Sequence, residues 1–445
     1  MTEAPSRPTT PPDSARWPGL DAPVTGPRTR VSASVARRLF CGAVERLDVT
    51  VHLEGRTLGR GGPEMTIHRP EEFFARVGRH QLIGFGEAYL TGAWDAPDLG
   101  GFLTVLAAEI SDLVPRPLQA MRSLVVKRPP RTQRSSKQNS RNNIAHHYDL
   151  SNDLFRLFLD ETLSYSAALW DTSVSTVSDT LNGRPSSRLQ AAPPGAVSAD
   201  SLAEASGRKI ERLLDAAGVT EGSSVLEIGT GWGELAIRAA RRGATVHSIT
   251  LSSEQLALAE ERIAEAGYAD QVTVALCDYR DLEAPVGPHG ATGYDAVVSV
   301  EMIEAVGHEY WQTYFETIDR VLAPGGKVAI QAITMPHDRM LATRNTYTWI
   351  HKYIFPGGLL PSVEAVDEVT REHTSLRLVE RFQFGTHYAE TLRLWDEAFL
   401  ERADEVLALG FDEVFLRMWH FYLEYSRAGF ASGYIDDYQL LWERP

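Results

Sequence analysis

Val225-Leu-Glu-Ile-Gly-Thr-Gly-Trp-Gly-Glu-Leu-Ala236 is the stretch that decides the fold. Ser224 to Ile228 reads as a buried strand, the glycines at 229, 231 and 233 as a tight turn, and Glu234 onward as a helix. Such a turn brings a ligand close to backbone N–H groups, an approach that side chains would block. The spacing is not the G-x-G-x-x-G of dinucleotide-binding turns. Glu227, two residues before the first glycine, would repel a pyrophosphate and suits a zwitterionic amino-acid ligand better. The blander alternative is a tight strand–helix turn with no ligand.

Outward from this stretch the pattern alternates. Helices are expected over Lys209 to Ala217, Glu234 to Arg241 and Ser253 to Ala266, and strands over Ser224 to Ile228, Thr245 to Thr250, Val272 to Ala275, Ala296 to Val300 and Lys327 to Ile333. Strands separated by helices of this length predict an α/β fold with a parallel, doubly wound, Rossmann-like sheet. No period of 20 to 50 residues repeats, which excludes solenoids. At 445 residues the chain exceeds what one core usually organises, so two domains are expected.

Residues 1–30, rich in Pro, Ser and Thr, read as a disordered N-terminus. Residues 31–121 read as a smaller N-terminal α/β domain, with a strand over Leu47 to Leu53, a helix opening at Pro70, and a further helix carrying Leu103, Ile110 and Val114. Residues 122–141 read as a basic linker and 142–445 as the catalytic domain. Within the latter, 172–205 is dominated by small polar residues, Pro and Gly, and reads as a flexible insertion.

The net charge of −15 argues against a nucleic-acid partner. Yet Arg122 to Arg141 holds seven basic residues and no acidic one. It is either a solvated linker or a contact for anionic lipid headgroups, worth about 1 kcal/mol per basic residue. Cys41 and Cys277 lie far apart and form no metal or redox motif. No apolar run of membrane-spanning length and no signal peptide is read, so the expected location is cytoplasmic, peripheral to the inner face of the membrane.

Further segments tie the glycine turn to a known family: His147-Tyr-Asp-Leu-Ser-Asn152, Tyr165-Ser166, Thr250-Leu-Ser-Ser-Glu-Gln255, Cys277-Asp-Tyr-Arg-Asp281, Ser299-Val-Glu-Met-Ile-Glu304, Pro324-Gly-Gly326 and Ile354-Phe-Pro-Gly-Gly-Leu-Leu-Pro361. With Gly86-Glu-Ala-Tyr-Leu-Thr-Gly-Ala-Trp-Asp95 they make the chain, from about residue 45 onward, resemble the cyclopropane-fatty-acyl-phospholipid synthases, class I S-adenosylmethionine-dependent methyltransferases. The resemblance implies that Tyr165 and Ser166 close over the cofactor and that Glu227, Gly229 and Gly231 border its methionine part. It further implies that Thr250 and Gln255 meet the ribose, that Tyr279 flanks the adenine, and that Asp278 belongs to the same set.

The implied reaction is methyl transfer to the double bond of an unsaturated phospholipid acyl chain through a carbocation. It requires exclusion of water, aromatic faces and a terminal base. Glu304 is the leading catalytic residue. In the family its counterpart helps hold a bicarbonate ion that acts as the base, together with a tyrosine matching Tyr388. Two departures fall at that place: Ala167 stands where the family has Cys, and Gln331 where it has His. Gln331 can neither carry charge nor shuttle a proton, so anion binding should weaken. The fate of the cation decides between a cyclopropane and a methylene branch that a separate reductase would saturate, and the altered base site favours the methylene. A reductase and a homo-oligomer stand as partner expectations. The rivals are a small-molecule N-methyltransferase and a non-catalytic subunit that binds lipid and cofactor.

Overall fold

A computed structural model describes residues 4–22, 24–109, 151–195, 200–285 and 293–445. The basic stretch 122–141, the end of the helix expected to reach Val114, and most of the His147–Asn152 motif lie outside the described residues. The chain divides into two compact units.

The first unit comprises Met1–Lys127, Thr346–Ile354 and Leu392–Tyr434. Its sheet consists of β1 (Thr50–Leu53), β2 (Arg56–Leu58), β3 (Glu64–Ile67) and β4 (Trp94–Asp95), in the order β2-β1-β3-β4. The expected catalytic span 142–445 is thereby corrected, because two of its segments belong with the N-terminal residues. The cause is the helix Glu413–Ala431, whose residues are buried on nearly every side. Phe421 packs on Tyr89 (ring centroids 5.3 Å apart) and on Trp349 (4.8 Å). The wholly buried Arg417 donates to the Tyr89 carbonyl at 2.8 Å and to Asp95 at 2.5 Å. A buried guanidinium is tolerated only when its donors are met in this way. Trp349 and Ile354, with Phe415, Trp419, Phe421, Tyr422 and Phe430, thus supply core to this unit.

The disorder expected for residues 1–30 is also corrected. Trp17 and Leu20 are buried, Trp17 Nε1 donates to Asp412 Oδ2 at 2.8 Å, and Arg76 donates to the Leu20 carbonyl at 3.0 Å. The helix Pro27–Val44 begins inside that span. Two large apolar side chains suffice to pin a segment whose average composition is polar.

The second unit comprises Arg128–Asn345, Phe355–Thr391 and Ile435–Pro445. Among the described residues its nine strands are β5 (Val174–Leu181), β6 (Arg184–Ala191), β7 (Ser224–Ile228), β8 (Thr245–Thr250), β9 (Val272–Leu276), β10 (Tyr294–Val300), β11 (Leu322–Thr334), β12 (Arg377–Gln383) and β13 (Asp436–Glu443). They lie in the order β5-β6-β12-β13-β11-β10-β7-β8-β9. The pairings from β11 through β10, β7 and β8 to β9 are parallel, as expected, but β13 runs antiparallel between β11 and β12. Side chains alternate across the sheet. Val225, Val246 and Ala296 join one apolar cluster with Leu235 and Ala259, while Leu226, Ile249 and Val297 join another with Tyr314 and Phe315. The chain winds from β7 outward to β9, then crosses back to place β10 on the other side of β7. That reversal opens a crevice at the carboxyl ends of β7 and β10.

The flexible insertion expected at 172–205 is a β-hairpin over most of its length. β5 and β6 pair antiparallel from Val174↔Ala191 to Leu181↔Arg184, and β6 joins β12 in parallel. The turn is Asn182-Gly183 with φ of 49° and 74°, the two left-handed residues that a two-residue hairpin turn demands. Few apolar residues are present because the strands are largely exposed. Charge holds them instead: Asp179 receives Arg188 at 2.8 Å and Arg381 at 2.5 Å. Amide hydrogen exchange should show protection across Val174–Leu181. Gly183→Val, which places a β-branched residue at positive φ at a cost of about 1–2 kcal/mol, should accelerate that exchange. Unprotected amides in the parent protein would contradict the hairpin.

Candidate active site

The glycine turn sits at the crevice. Gly229 has φ 101°, and a Cβ there would meet the Met302 side chain at 3.4 Å. Gly233, with φ 91°, is the N-cap of the helix Glu234–Arg241, so the helix start is bare of side chain. A cleft runs past this turn, lined by Tyr165, Ser166, Glu227, Gly229, Gly231, Thr250, Gln255 and Tyr279, and also by Lys209, Glu301 and Met302. Eight of the nine cofactor residues read from the sequence therefore share one cavity.

Asp278 is the ninth. It is absent from the cleft lining because its carboxylate caps the turn Tyr279–Asp281, accepts the Arg280 backbone N–H at 3.0 Å, and pairs with the Arg280 guanidinium at 2.6 Å. It fixes the loop that carries Tyr279.

Each remaining group has a physical reason for its place. Glu227 is the penultimate residue of β7 and is buried, with the Ser248 hydroxyl donating to its Oε2 at 2.5 Å. Desolvation pushes its carboxyl up to about 8. An ammonium-bearing ligand entering beside it would restore the ionised form. Thr250 Oγ1 donates to Gln255 Oε1 at 2.9 Å, which leaves the Gln255 amide N–H groups as donors. Ser252 caps the helix Ser253–Glu265 and so sets the position of Gln255. Tyr279 packs edge-on against Tyr314 at 5.2 Å, and Tyr165 against Phe155 at 5.1 Å. The buried Lys209 donates to Ser166 Oγ at 2.6 Å.

Beyond the glycine turn lies a knot of carboxylates. The sequence reading centred it on Glu304, but the structure centres it on Glu301. Tyr388 OH donates to Glu301 Oε2 at 2.7 Å, and Glu301 Oε1 accepts Gln331 Nε2 at 2.8 Å and the Ala167 N–H at 2.9 Å. Gln331 also donates to Asp437 at 3.0 Å. Glu304 instead accepts the Ile333 N–H at 2.6 Å through Oε1, while its buried Oε2 has no hydrogen-bond partner among the described residues. Glu304 does not line the cleft; Glu301 does. Sequence reading thus missed Glu301, Asp437 and Lys209. Glu301 lay within the quoted Ser299–Glu304 match, and its φ of 48° marks it as special in the fold. Left-handed backbone costs a non-glycine residue about 1–2 kcal/mol and is concentrated at functional positions.

A crevice of this make on a sheet of this order defines a class, the S-adenosylmethionine-dependent methyltransferases. Known proteins narrow it further. The family described as mycolic acid cyclopropane synthetase matches residues 135–440. The chain is 51% identical over 431 residues to the tuberculostearic acid methyltransferase UfaA1 of Mycobacterium tuberculosis, covering 96% of this chain and 95% of that one. It is 31% identical over 388 residues to the cyclopropane-fatty-acyl-phospholipid synthase of Escherichia coli, covering 87% and 89%. Among solved structures it resembles the cyclopropane synthase MmaA2 of Mycobacterium tuberculosis with a TM-score of 0.56 and 29% identity, over 68% of this chain and 98% of that one. The mycolic acid cyclopropane synthase CmaA1 complexed with SAH and CTAB gives 0.56 and 27%, over 71% and 99%. The chain belongs to the cyclopropane fatty acid synthase family of S-adenosylmethionine-dependent methyltransferases, which modify unsaturated fatty acyl chains.

Glu227 makes a pH prediction. Its ordinary value is 4.5 and its folded value about 8, so between these the native state holds a proton that the unfolded chain has released. Stability of the cofactor-free protein should fall as pH rises through that window. Glu304, likewise pushed up to about 8 by burial and by the neighbouring Glu301, adds to the slope. Thermal unfolding of Glu227→Gln should show a shallower fall between about pH 5 and about pH 8. An unchanged slope would remove Glu227 as a source.

Proposed function

We propose that the protein transfers a methyl group from S-adenosylmethionine to the double bond of an unsaturated phospholipid acyl chain through a carbocation, giving a methylene branch. The observation that carries this reading is that Glu301, a carboxylate held by three donors, lines the same cleft as the cofactor turn. Near full-length similarity to a relative named for tuberculostearic acid supports the acyl acceptor and the branched outcome.

S-adenosylmethionine supplies an electrophilic methyl on a sulfonium. Glu227, Gly229, Gly231, Thr250, Gln255 and Tyr279 bind and orient it, and Tyr165 and Ser166 line the cleft beside it. The alkene carbon that gains the methyl leaves its neighbour cationic. If a proton leaves the new methyl at once, its C–H pair closes a cyclopropane. If a hydride first shifts from the methylated carbon to its cationic neighbour, loss of the same proton forms an exocyclic methylene. The two products therefore share one base and differ in how soon it acts. A reductase acting later would saturate the methylene.

We place the reaction at a membrane surface, with Arg122 to Arg141 supplying positive charge toward anionic headgroups. Among the described residues no helix is long and apolar enough to cross a membrane. Self-association of the chain is part of the same proposal.

Expression in a host rich in oleoyl lipids, followed by gas chromatography with mass spectrometry, should give a methylene-branched chain that hydrogenation converts to a methyl branch. A cyclopropane product would overturn the branch assignment. Labelled methyl on an amine, with none in acyl chains, would favour a small-molecule N-methyltransferase.

A further inference from the structure

Tyr388, which the resemblance assigns to a bicarbonate ion, and the two departures at that place, Ala167 and Gln331, already donate to a side chain. Glu301 Oε1 holds the Ala167 N–H and the Gln331 amide, and Glu301 Oε2 holds the Tyr388 hydroxyl. A bicarbonate at this place would compete for the same three donors while facing the Glu301 carboxylate. Like charges in so dry a site repel strongly. The residues present do not fit bicarbonate, and what displaces it is a side chain.

We propose that the Glu301 carboxylate is itself the catalytic base, taking the place of a bound bicarbonate. The inference rests on the methylation reading above and names its proton acceptor. In the terminal step a C–H bond of the new methyl breaks and its electron pair forms the carbon–carbon bond of the product. The proton goes to a Glu301 oxygen, which passes from carboxylate to carboxylic acid and returns the proton to solvent once the products leave. No oxidant, reductant or further reactant is needed.

Three features support the assignment. Glu301 reaches the cofactor cleft, whereas Glu304 and Asp437 do not line it. Its backbone continues the β10–β11 ladder, donating to the Gln331 carbonyl at 2.9 Å, and then turns left-handed at φ 48°, so the position of the side chain is set by the sheet. The charge balance also selects it. Burial pushes the carboxyls of Glu301, Glu304 and Asp437 all upward, and neighbouring acids cannot all ionise. Burial raises Glu301 as well, but of the three it gathers hydrogen bonds from Ala167, Gln331 and Tyr388, which favour its charged form over those of its neighbours. Glu304 Oε2 and Asp437 Oδ1 have no hydrogen-bond partner among the described residues, and an unmet oxygen costs more on a carboxylate than on a neutral acid.

The test uses the full chain with dioleoyl phosphatidylglycerol vesicles and methyl-labelled S-adenosylmethionine, in degassed bicarbonate-free buffer and again with added bicarbonate. Wild-type turnover into acyl chains should be the same in both. Glu301→Gln should lose about 100-fold or more in kcat while binding S-adenosylmethionine as the parent does, which shows that it is folded. Glu301→Gly, which frees the three donors, should regain turnover when bicarbonate is added. Wild-type turnover that requires bicarbonate would overturn the inference and leave the methylation reading intact, as would full activity of Glu301→Gln. No labelled acyl chain under any condition would overturn both.

Discussion

A carboxylate withdrawn from water persists only where the fold brings donors to it, since an unmet charge in an apolar setting costs several kcal/mol. Glu301 is that group here, and the elements around it are arranged by the need to meet it. β10 ends one residue before it, β11 brings Gln331 beside it, the segment after residue 159 brings the Ala167 N–H, and the chain after β12 brings Tyr388. β13, antiparallel between β11 and β12, adds Asp437 behind Gln331. Four separate parts of the unit thus converge on one side chain. A shift in the register of any of them would leave a buried polar atom unmet.

The donor half of the site depends on backbone more than on charge. Glycines at 229 and 233 take left-handed conformations that let the strand end pass directly into the helix start. Glu227 sits on the opposite side of the same strand from Leu226 and Ile228, so sheet alternation alone directs it to the crevice side of the turn. The two halves meet in one cleft because β7 and β10 are neighbours at the point where the winding of the sheet reverses.

The central parallel strands could be read from sequence because each is a short apolar run bounded by turn residues, and β7 and β8 fall at the expected residues. The hairpin β5–β6 could not be read this way: it is held by backbone pairing and by arginine–aspartate contacts, and its only local signal is Asn182-Gly183. The assembly of the first unit from three separated segments left no mark in composition, because the packing of Phe421 on Tyr89 is a long-range fact. At the site, eight of the residues read for the cofactor line one cleft, and those of the strand–turn–helix do so because that motif is local. Asp278 lies outside that lining, where its carboxylate pairs with Arg280 two residues on. Glu304 was preferred to Glu301 because sequence shows that both are acids but not which one the strand end turns toward the cleft.

Seen together, Ala167 and Gln331 are not losses. A Cys and a His that help hold a free anion are unnecessary once the anion is a side chain, and a backbone N–H and a neutral amide suffice to position it. The most direct test is a crystal structure of the protein with S-adenosylhomocysteine, grown in bicarbonate. Electron density should show the Glu301 carboxylate within hydrogen-bond distance of Ala167 N, Gln331 Nε2 and Tyr388 OH, with no separate ion among them. A planar trigonal ion bound by those three donors, with the Glu301 side chain turned away, would contradict the account.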